Sequence, residues 1–279
     1  MRAKIYLALS LTCAALTSGV APAAQPAADE ILRKAFQAER DNWPLTYAFE
    51  FTENAENRKP DGTVESKTWR VHFIDGSPHK QLVAKDGKPL PSEEEKFERD
   101  KVEAIRKERP AETAEQRAER LEEAKKKRNE TREALKEVPD AFNFKLLGEE
   151  MIRGRKAYLF EFTPKPGYKP KHKRAKIFPV MQGKIWIDAE DYHWVRADAV
   201  LTDTYSFGWI LVRVGKGGRA IIDQTKVDGV WQWSKLQLDV DVRIGLVKNL
   251  QLDQTTTYTD FKRIENPVVS QAAPRKPGE

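Results

Sequence analysis

The chain is poor in the groups that most catalytic or covalently braced proteins rely on. Among its 279 residues there is one cysteine, Cys13, and there are four histidines. A single cysteine excludes a disulfide framework and a cysteine-based zinc cage. His72, His79, His172 and His193 do not stand at metal-ligand spacing from one another or from Cys13, so no metal site is expected. No G-x-S-x-G segment supplies a nucleophile elbow. Charge of one sign is scarce overall, with 49 basic against 43 acidic residues. That excess is too small to mark a nucleic-acid surface, and no nucleic-acid partner is expected. The apolar run Ile5–Val20 is broken by Ser10, Thr12, Thr17, Ser18 and Gly19, which makes it too short and too polar for a good membrane span. These absences favour binding over catalysis: neither enzyme activity nor a cofactor is expected.

The first thirty residues carry an export signal. Arg2 and Lys4 are the only charges before Asp29; they precede the apolar run, which ends at Ala21-Pro22-Ala23-Ala24. A short positive region, a short apolar core and an A-x-A site predict a signal peptide over residues 1–23. The alternative is an uncleaved anchor. Lipid modification at Cys13 is rejected, because Ser10-Leu11-Thr12 makes a poor lipobox and cleavage there would halve the apolar core. Cleavage after Ala23 leaves no cysteine and an excess of four basic residues. The expected product is a soluble periplasmic protein that holds together by its core alone.

Charge is concentrated. The stretch Glu93–Glu137 holds 15 acidic and 14 basic residues. Ser92 with Glu95, and Thr113 with Gln116, have capping-box spacing on either side of Pro110. Opposite charges recur three and four apart, as in Glu95 with Arg99, Glu103 with Lys107, and Glu119 and Glu122 near Lys126. The apolar stripe is thin: Phe97, Val102 and Ile105, then Ala114, Ala118, Leu121 and Leu135. This predicts a charged helical hairpin over residues 92–138, either a solvated spacer or a mobile lid.

Around the insert, residues 24–264 read as one domain of about ten strands. Asp29–Arg40 forms a short amphipathic helix. Tyr47, Phe49 and Phe51 share one face of a first strand, and Trp69, Val71 and Phe73 share one face of a second. Asp75-Gly76 and Asp86-Gly87 mark tight turns. Phe142–Ile152 and Arg155–Thr163 form a hairpin at Arg153-Gly154. Lys184–Asp188 and Val195–Leu201 follow. Phe207–Val214 turns into Arg219–Val227 at Gly217-Gly218, and Trp231–Ile244 and Asn249–Ile264 close the series. Leu236, Leu238, Val240, Val242 and Ile244 alternate with Lys235, Gln237, Asp239, Asp241 and Arg243, so one sheet face is apolar and the other wet. The expected fold is mainly β (α+β): a curved antiparallel sheet, an unclosed half-barrel cupping helices. Residues 265–279 are expected to be a disordered tail.

Several of these segments resemble a known family. Phe142-x-Phe-x-Leu-Leu-Gly148 through Gly154-Arg-Lys-Ala-Tyr158 to Pro164, then Gly183-Lys-Ile-Trp-Ile-Asp188 and Val195-Arg-Ala-Asp198, are similar to the outer-membrane lipoprotein-sorting superfamily. Lys85–Leu90 and Gln254–Tyr258 add to the likeness. The resemblance implies an unclosed antiparallel barrel around helices and, for its best-known members, carriage of lipoprotein acyl chains across the periplasm; it implies no catalytic residue. This chain is longer, carries the charged insert and lacks the carrier's arginine-bearing early strand motif. The resemblance therefore implies the fold more than the cargo.

In such a cup, Phe49, Phe51, Trp69, Val71, Phe160, Ile185, Ile187, Leu238 and Val240 are expected to line the concave face, where a lipid or lipoprotein acyl chain would lie. The alternative is that they are ordinary core. The segment Lys165–Lys176 holds six cations and no acid. Lys169, Lys171, Lys173 and Arg174 are its candidates for contact with an anionic membrane surface or an acidic envelope protein; the alternative is a solvated hairpin tip. Asp188, Asp191 and Asp198 flank a turn and are expected to cap backbone groups. A second functional class remains open, a structural or regulatory envelope protein whose cup is internally filled and whose surface binds another protein.

Overall fold

The computed structural model describes residues 27–207, 212–245 and 248–264. The expected signal peptide and the 265–279 tail lie outside the described residues. Helix α1 (Ala28–Asn42) has Asp29 and Glu30 in its first turn, where acids complement the helix dipole, and buries Ile31 and Ala35 along one stripe. Pro44 then opens a 3-10 turn over Trp43–Ala48. Strand β1 (Phe49–Arg58) therefore starts later than the Tyr47–Phe49–Phe51 alternation predicts. Tyr47 stays in the turn, which Thr46 Oγ1 ties to the Trp43 carbonyl at 2.8 Å.

Strands β2 (Val64–Ile74), β3 (Ser77–Lys85) and β4 (Lys88–Pro89) follow as hairpins. Asp75 and Gly76 both have positive φ, 46° and 78°, as the type I′ turn between β2 and β3 requires. The insert contains α2 (Ser92–Glu108), a 3-10 turn at Arg109–Ala111, α3 (Ala114–Lys136) and the short α4 (Val138–Ala141). Thr113 and Gln116 form their capping box. Ser92 and Glu95 do not. Pro91 takes the N-cap position and its carbonyl accepts from Glu95 N at 2.9 Å, which leaves Ser92 one residue too late to cap.

The remaining strands are β5 (Phe142–Ile152), β6 (Arg155–Pro164), β7 (Met181–Asp188), β8 (Trp194–Leu201), β9 (Tyr205–Phe207), β10 (Val212–Val214), β11 (Arg219–Val227), β12 (Val230–Ile244) and β13 (Lys248–Arg263). They form one antiparallel sheet in the order β4-β3-β2-β1-β13-β12-β11-β8-β7-β6-β5. Its ends, β4 and β5, do not pair with each other, so the barrel is unclosed. The expected hairpin of Phe207–Val214 with Arg219–Val227 does not form. β10 instead pairs with the far end of β12, Val212 opposite Ile244. The reason is length: β11 covers β12 only as far as Asp239 and itself continues into β8, leaving the end of β12 free.

Register shows which residues share a face. Phe160 lies opposite Ile185, Ile185 opposite Ala197, Ala197 opposite Ile222 and Ile222 opposite Leu236. Leu236 lies opposite Thr256, Thr256 opposite Ala55 and Ala55 opposite Lys67. This inner face carries α1. Ile31 and Ala35 pack on Tyr158, Phe160 and Ile187, and the Phe36 ring meets Phe144 edge-on at 5.8 Å. Beside them Ala134, Ala141, Phe142, Phe162, Ala175 and Phe178 form a second cluster that joins the end of α3 to β5 and β6.

Helix α3, about 34 Å long for its 23 residues, runs between the margins of the sheet. One end sits in the Phe142 cluster. The other is clamped to the β2–β3 turn: Asp75 accepts from Arg117 Nη2 at 2.7 Å and Arg120 Nη2 at 2.6 Å, and Arg120 also bonds Glu112 and the Asp75 carbonyl. The hydrogen-bonded Arg117 holds the Asp75 carboxyl below its ordinary range, and Arg120 does the same for Glu112. A depressed folded pKa means that the clamp is complete above the ordinary carboxylate value, about 4, and is lost as pH falls through the depressed values. Hydrogen-exchange protection factors over residues 114–128 should therefore drop as pH falls below about 4, while those of β5 and β6 persist. Asp75→Asn should lower the same protection at pH 7; full protection in that variant would show that the clamp contributes nothing.

Candidate ligand-binding face

The inner face falls into three zones. The first is closed. Phe160 is 0 % exposed and Ile187 is equally buried beneath α1, with Ile185 between the two clusters. Phe49 is closed as well, in a separate small core with Ala48, Val230 and Phe261, and Arg263 stacks on its ring at 4.9 Å. Of the nine expected lining residues, Phe160, Ile187 and Phe49 are core, and Ile185 is half-buried against two of the clusters.

The second zone is an aromatic pocket of about 220 Å³ lined by Tyr47, Phe51, Phe73, Trp231, Trp233, Tyr258 and Phe261, together with Gln224 and Gln232. Phe51 meets Tyr258 at 5.8 Å and Phe261 at 5.7 Å; Trp233 meets Tyr258 at 6.3 Å. Burial pushes the Tyr258 hydroxyl up to about 12, with nearby Glu53 adding to it. Val71, opposite Phe51, is buried beside the pocket, and Trp69, opposite Glu53, lies under Lys80. Of the expected residues only Phe51 lines this pocket directly. Tyr258 and Gln224 follow the alternation of Thr256 and Ile222, whereas Trp233 and Phe261 enter through β-bulges that sequence alternation does not show. The β1–β13 register shifts between Glu50 and Thr52, where Asp260 adopts φ 52°, so Tyr258 and Phe261, three apart, turn to one side. The β11–β12 register shifts between Asp223 and Gln224, skipping Ser234, and this puts Trp233 and Leu236 on the same face.

The third zone is open. Ala220 and Ile222 of β11, Leu236, Leu238, Val240 and Val242 of β12, and Leu252 of β13 are half-buried, while Trp233 is 39 % exposed and Ile244 and Leu250 are each 40 % exposed. Among the described residues, none of the four buried clusters includes them. From Leu236 to Val242 the trough runs about 20 Å. Leu238 and Val240 lie in it. An apolar face left half-exposed is costly to solvate.

The basic loop lies elsewhere. The buried Glu137 carboxylate anchors it, accepting from Tyr168 Oη at 2.6 Å, Lys171 N at 2.9 Å and His172 N at 2.7 Å. Burial alone would raise the Glu137 pKa, but these donors hold it below its ordinary value. Lys173 and Arg174 pair with Glu130 of α3 at 2.9 Å and 3.3 Å; Lys169, Lys171 and Lys176 are exposed. The three aspartates have structural partners. Asp188 accepts from Glu190 N and Asp191 N and pairs with Arg155; Asp191 accepts from Trp231 Nε1 and Lys226; Asp198 pairs with Arg219. Among the described residues no three His, Cys, Asp or Glu side chains are placed to share a metal ion, and no helix is long and apolar enough to cross a membrane.

No family model and no curated protein matches the chain. Solved structures similar to it include a LolA superfamily protein from Nitrosomonas europaea, 11 % identical over 87 % of this chain and 95 % of that one, with a TM-score of 0.33. Another is a putative outer membrane lipoprotein-sorting protein domain from Vibrio parahaemolyticus, 8 % identical over 83 % and 92 %, with a TM-score of 0.32. The Pseudomonas aeruginosa MucA/MucB complex contains a third, 8 % identical over 85 % and 99 %, with a TM-score of 0.23.

Proposed function

We propose that the chain is an exported binding or carrier protein of the bacterial cell envelope, acting without catalysis, and that it shelters a long acyl chain on the open inner face of its sheet. The observation that carries this reading is the half-exposed apolar trough over β11–β13, next to a half of the same sheet that α1 has already filled. Its length of about 20 Å exceeds the ~15 Å that the acyl chains of one leaflet span in a ~30 Å bilayer core. Full burial of such a chain would contribute on the order of 10 kcal/mol, at about 0.8 kcal/mol per methylene. A trough open on one side realises only part of that, which suits cargo that has to be released. Titration with a fluorescent long-chain fatty acid should show saturable binding at micromolar protein, displaced by unlabelled lipid. The absence of saturable binding by this probe and by uncharged long-chain amides alike overturns the reading.

The exposed cations fit an approach to an anionic membrane surface. Lys173 and Arg174 share the single charge of Glu130, so the test is placed on the exposed Lys169, Lys171 and Lys176. At about 1 kcal/mol per lysine near an anionic bilayer, reversing all three to glutamate should lower cosedimentation with phosphatidylserine vesicles by roughly a hundredfold. Sedimentation unchanged by the triple reversal would exclude this loop as the contact.

A further inference from the structure

We propose that the aromatic pocket at the end of the trough seats the polar linkage of the acylated ligand, and that Gln224 Oε1 accepts a hydrogen bond from an amide N–H or hydroxyl there. The proposal rests on the acyl-binding reading and specifies which class of amphiphile it takes. Gln224 is 4 % exposed, lines the pocket, and its Oε1 has no hydrogen-bond partner among the described residues. Buried polar atoms are nearly always satisfied, so an orphaned acceptor on a side chain that lines a cavity points to a missing donor.

Its polar neighbours are already occupied. Asn42 exchanges two hydrogen bonds with the Trp231 backbone at 2.8 and 2.9 Å, Thr46 Oγ1 donates to the Trp43 carbonyl, and Gln232 Nε2 donates to the Thr46 carbonyl at 3.4 Å. None of these three gives its donor to Gln224 Oε1, which stays open to a donor brought by a ligand. Phe51, Phe73, Trp233, Tyr258 and Phe261 surround the site with rings, and the hydroxyl of Tyr258 is held neutral to high pH. Glu39, the carboxylate on this lining, already accepts from Trp194 Nε1 at 2.7 Å and would repel a second one, so the rings suit an uncharged group better than a carboxylate. Trp233 belongs to the pocket and lies three residues from Leu236 on the same strand face, so the two zones are continuous. A ligand with a donor-bearing linkage in the pocket would therefore lay its chain along Leu236, Leu238, Val240 and Val242.

Two probes of the same length isolate this contact: N-methyl palmitamide, which has one N–H, and N,N-dimethyl palmitamide, which has none. Wild-type protein should bind the first at least tenfold more tightly. Gln224→Leu, close in size, should remove the preference while leaving the dimethyl amide bound at least as well as before. Equal affinity of the two amides for the wild type overturns the proposal without any variant, and so does a preference that survives Gln224→Leu. If neither amide binds while a fluorescent fatty acid does, this inference fails and the carrier reading stands. If no acyl probe binds, both fail.

Discussion

A glutamate in place of Leu238 is expected to weaken binding of a long-chain acyl probe at least tenfold while leaving the fold intact. Leu238 lies at the middle of the open trough, opposite Ala220 on one side and Gln254 on the other, and is only half-buried. The new carboxylate can therefore remain solvated when the trough is empty. With an acyl chain above it, the carboxylate has to lose water or the chain has to lift away. Charge burial of this kind costs far more than the ~1.4 kcal/mol that a tenfold change represents. A shift of only a few degrees in melting temperature is expected. Unchanged acyl affinity in Leu238→Glu would remove the trough from the binding site.

Phe160→Ala should have the opposite profile. Phe160 is 0 % exposed beneath Ile31 and Ala35 of α1, beside Tyr158 and Ile187. Truncating a buried phenylalanine typically costs about 3–5 kcal/mol, and for a chain of this size that corresponds to a fall in melting temperature of roughly 10–15 °C. Below its melting point the variant should still bind the acyl probe near wild-type strength, because the trough lies several strands away. Together the two substitutions separate the closed half of the cup from the open half. A Phe160→Ala protein that melts normally but loses the probe would reverse the assignment.

Much of this architecture was legible in sequence because it is written in period two. The Leu236–Ile244 alternation places an apolar face on β12, and that face is the trough. The Asp-Gly and Arg-Gly pairs locate the hairpins, since only certain residues accept positive φ. The legible part stops where the period breaks. Bulges at Asp260 and beside Ser234 put Phe261 and Trp233 into the pocket, and neither can be found by alternation. Pro44 removes Tyr47 from the strand that its spacing predicts.

The charged insert shows a different limit. Arg117 and Arg120 meet Asp75 across more than forty residues of chain, and composition alone cannot say which of many arginines finds which acid. Glu137 is likewise one of fifteen acids in its stretch, yet it is the buried anchor of the basic loop. Which half of the apolar face is covered was not legible either. Phe160 and Leu238 are both apolar strand residues, and only the seat of α1 makes one of them core and the other trough.

The most direct test is to find where an acyl chain lies. A palmitate carrying a photoactivatable diazirine near its methyl end can be bound to the intact protein, crosslinked by light and mapped by peptide mass spectrometry. The expected result is saturable labelling confined to residues 219–258, over β11, β12 and β13, competed away by unlabelled lipid. Labelling concentrated on β5–β7, residues 142–188, or scattered labelling that does not saturate, would contradict the open-trough account.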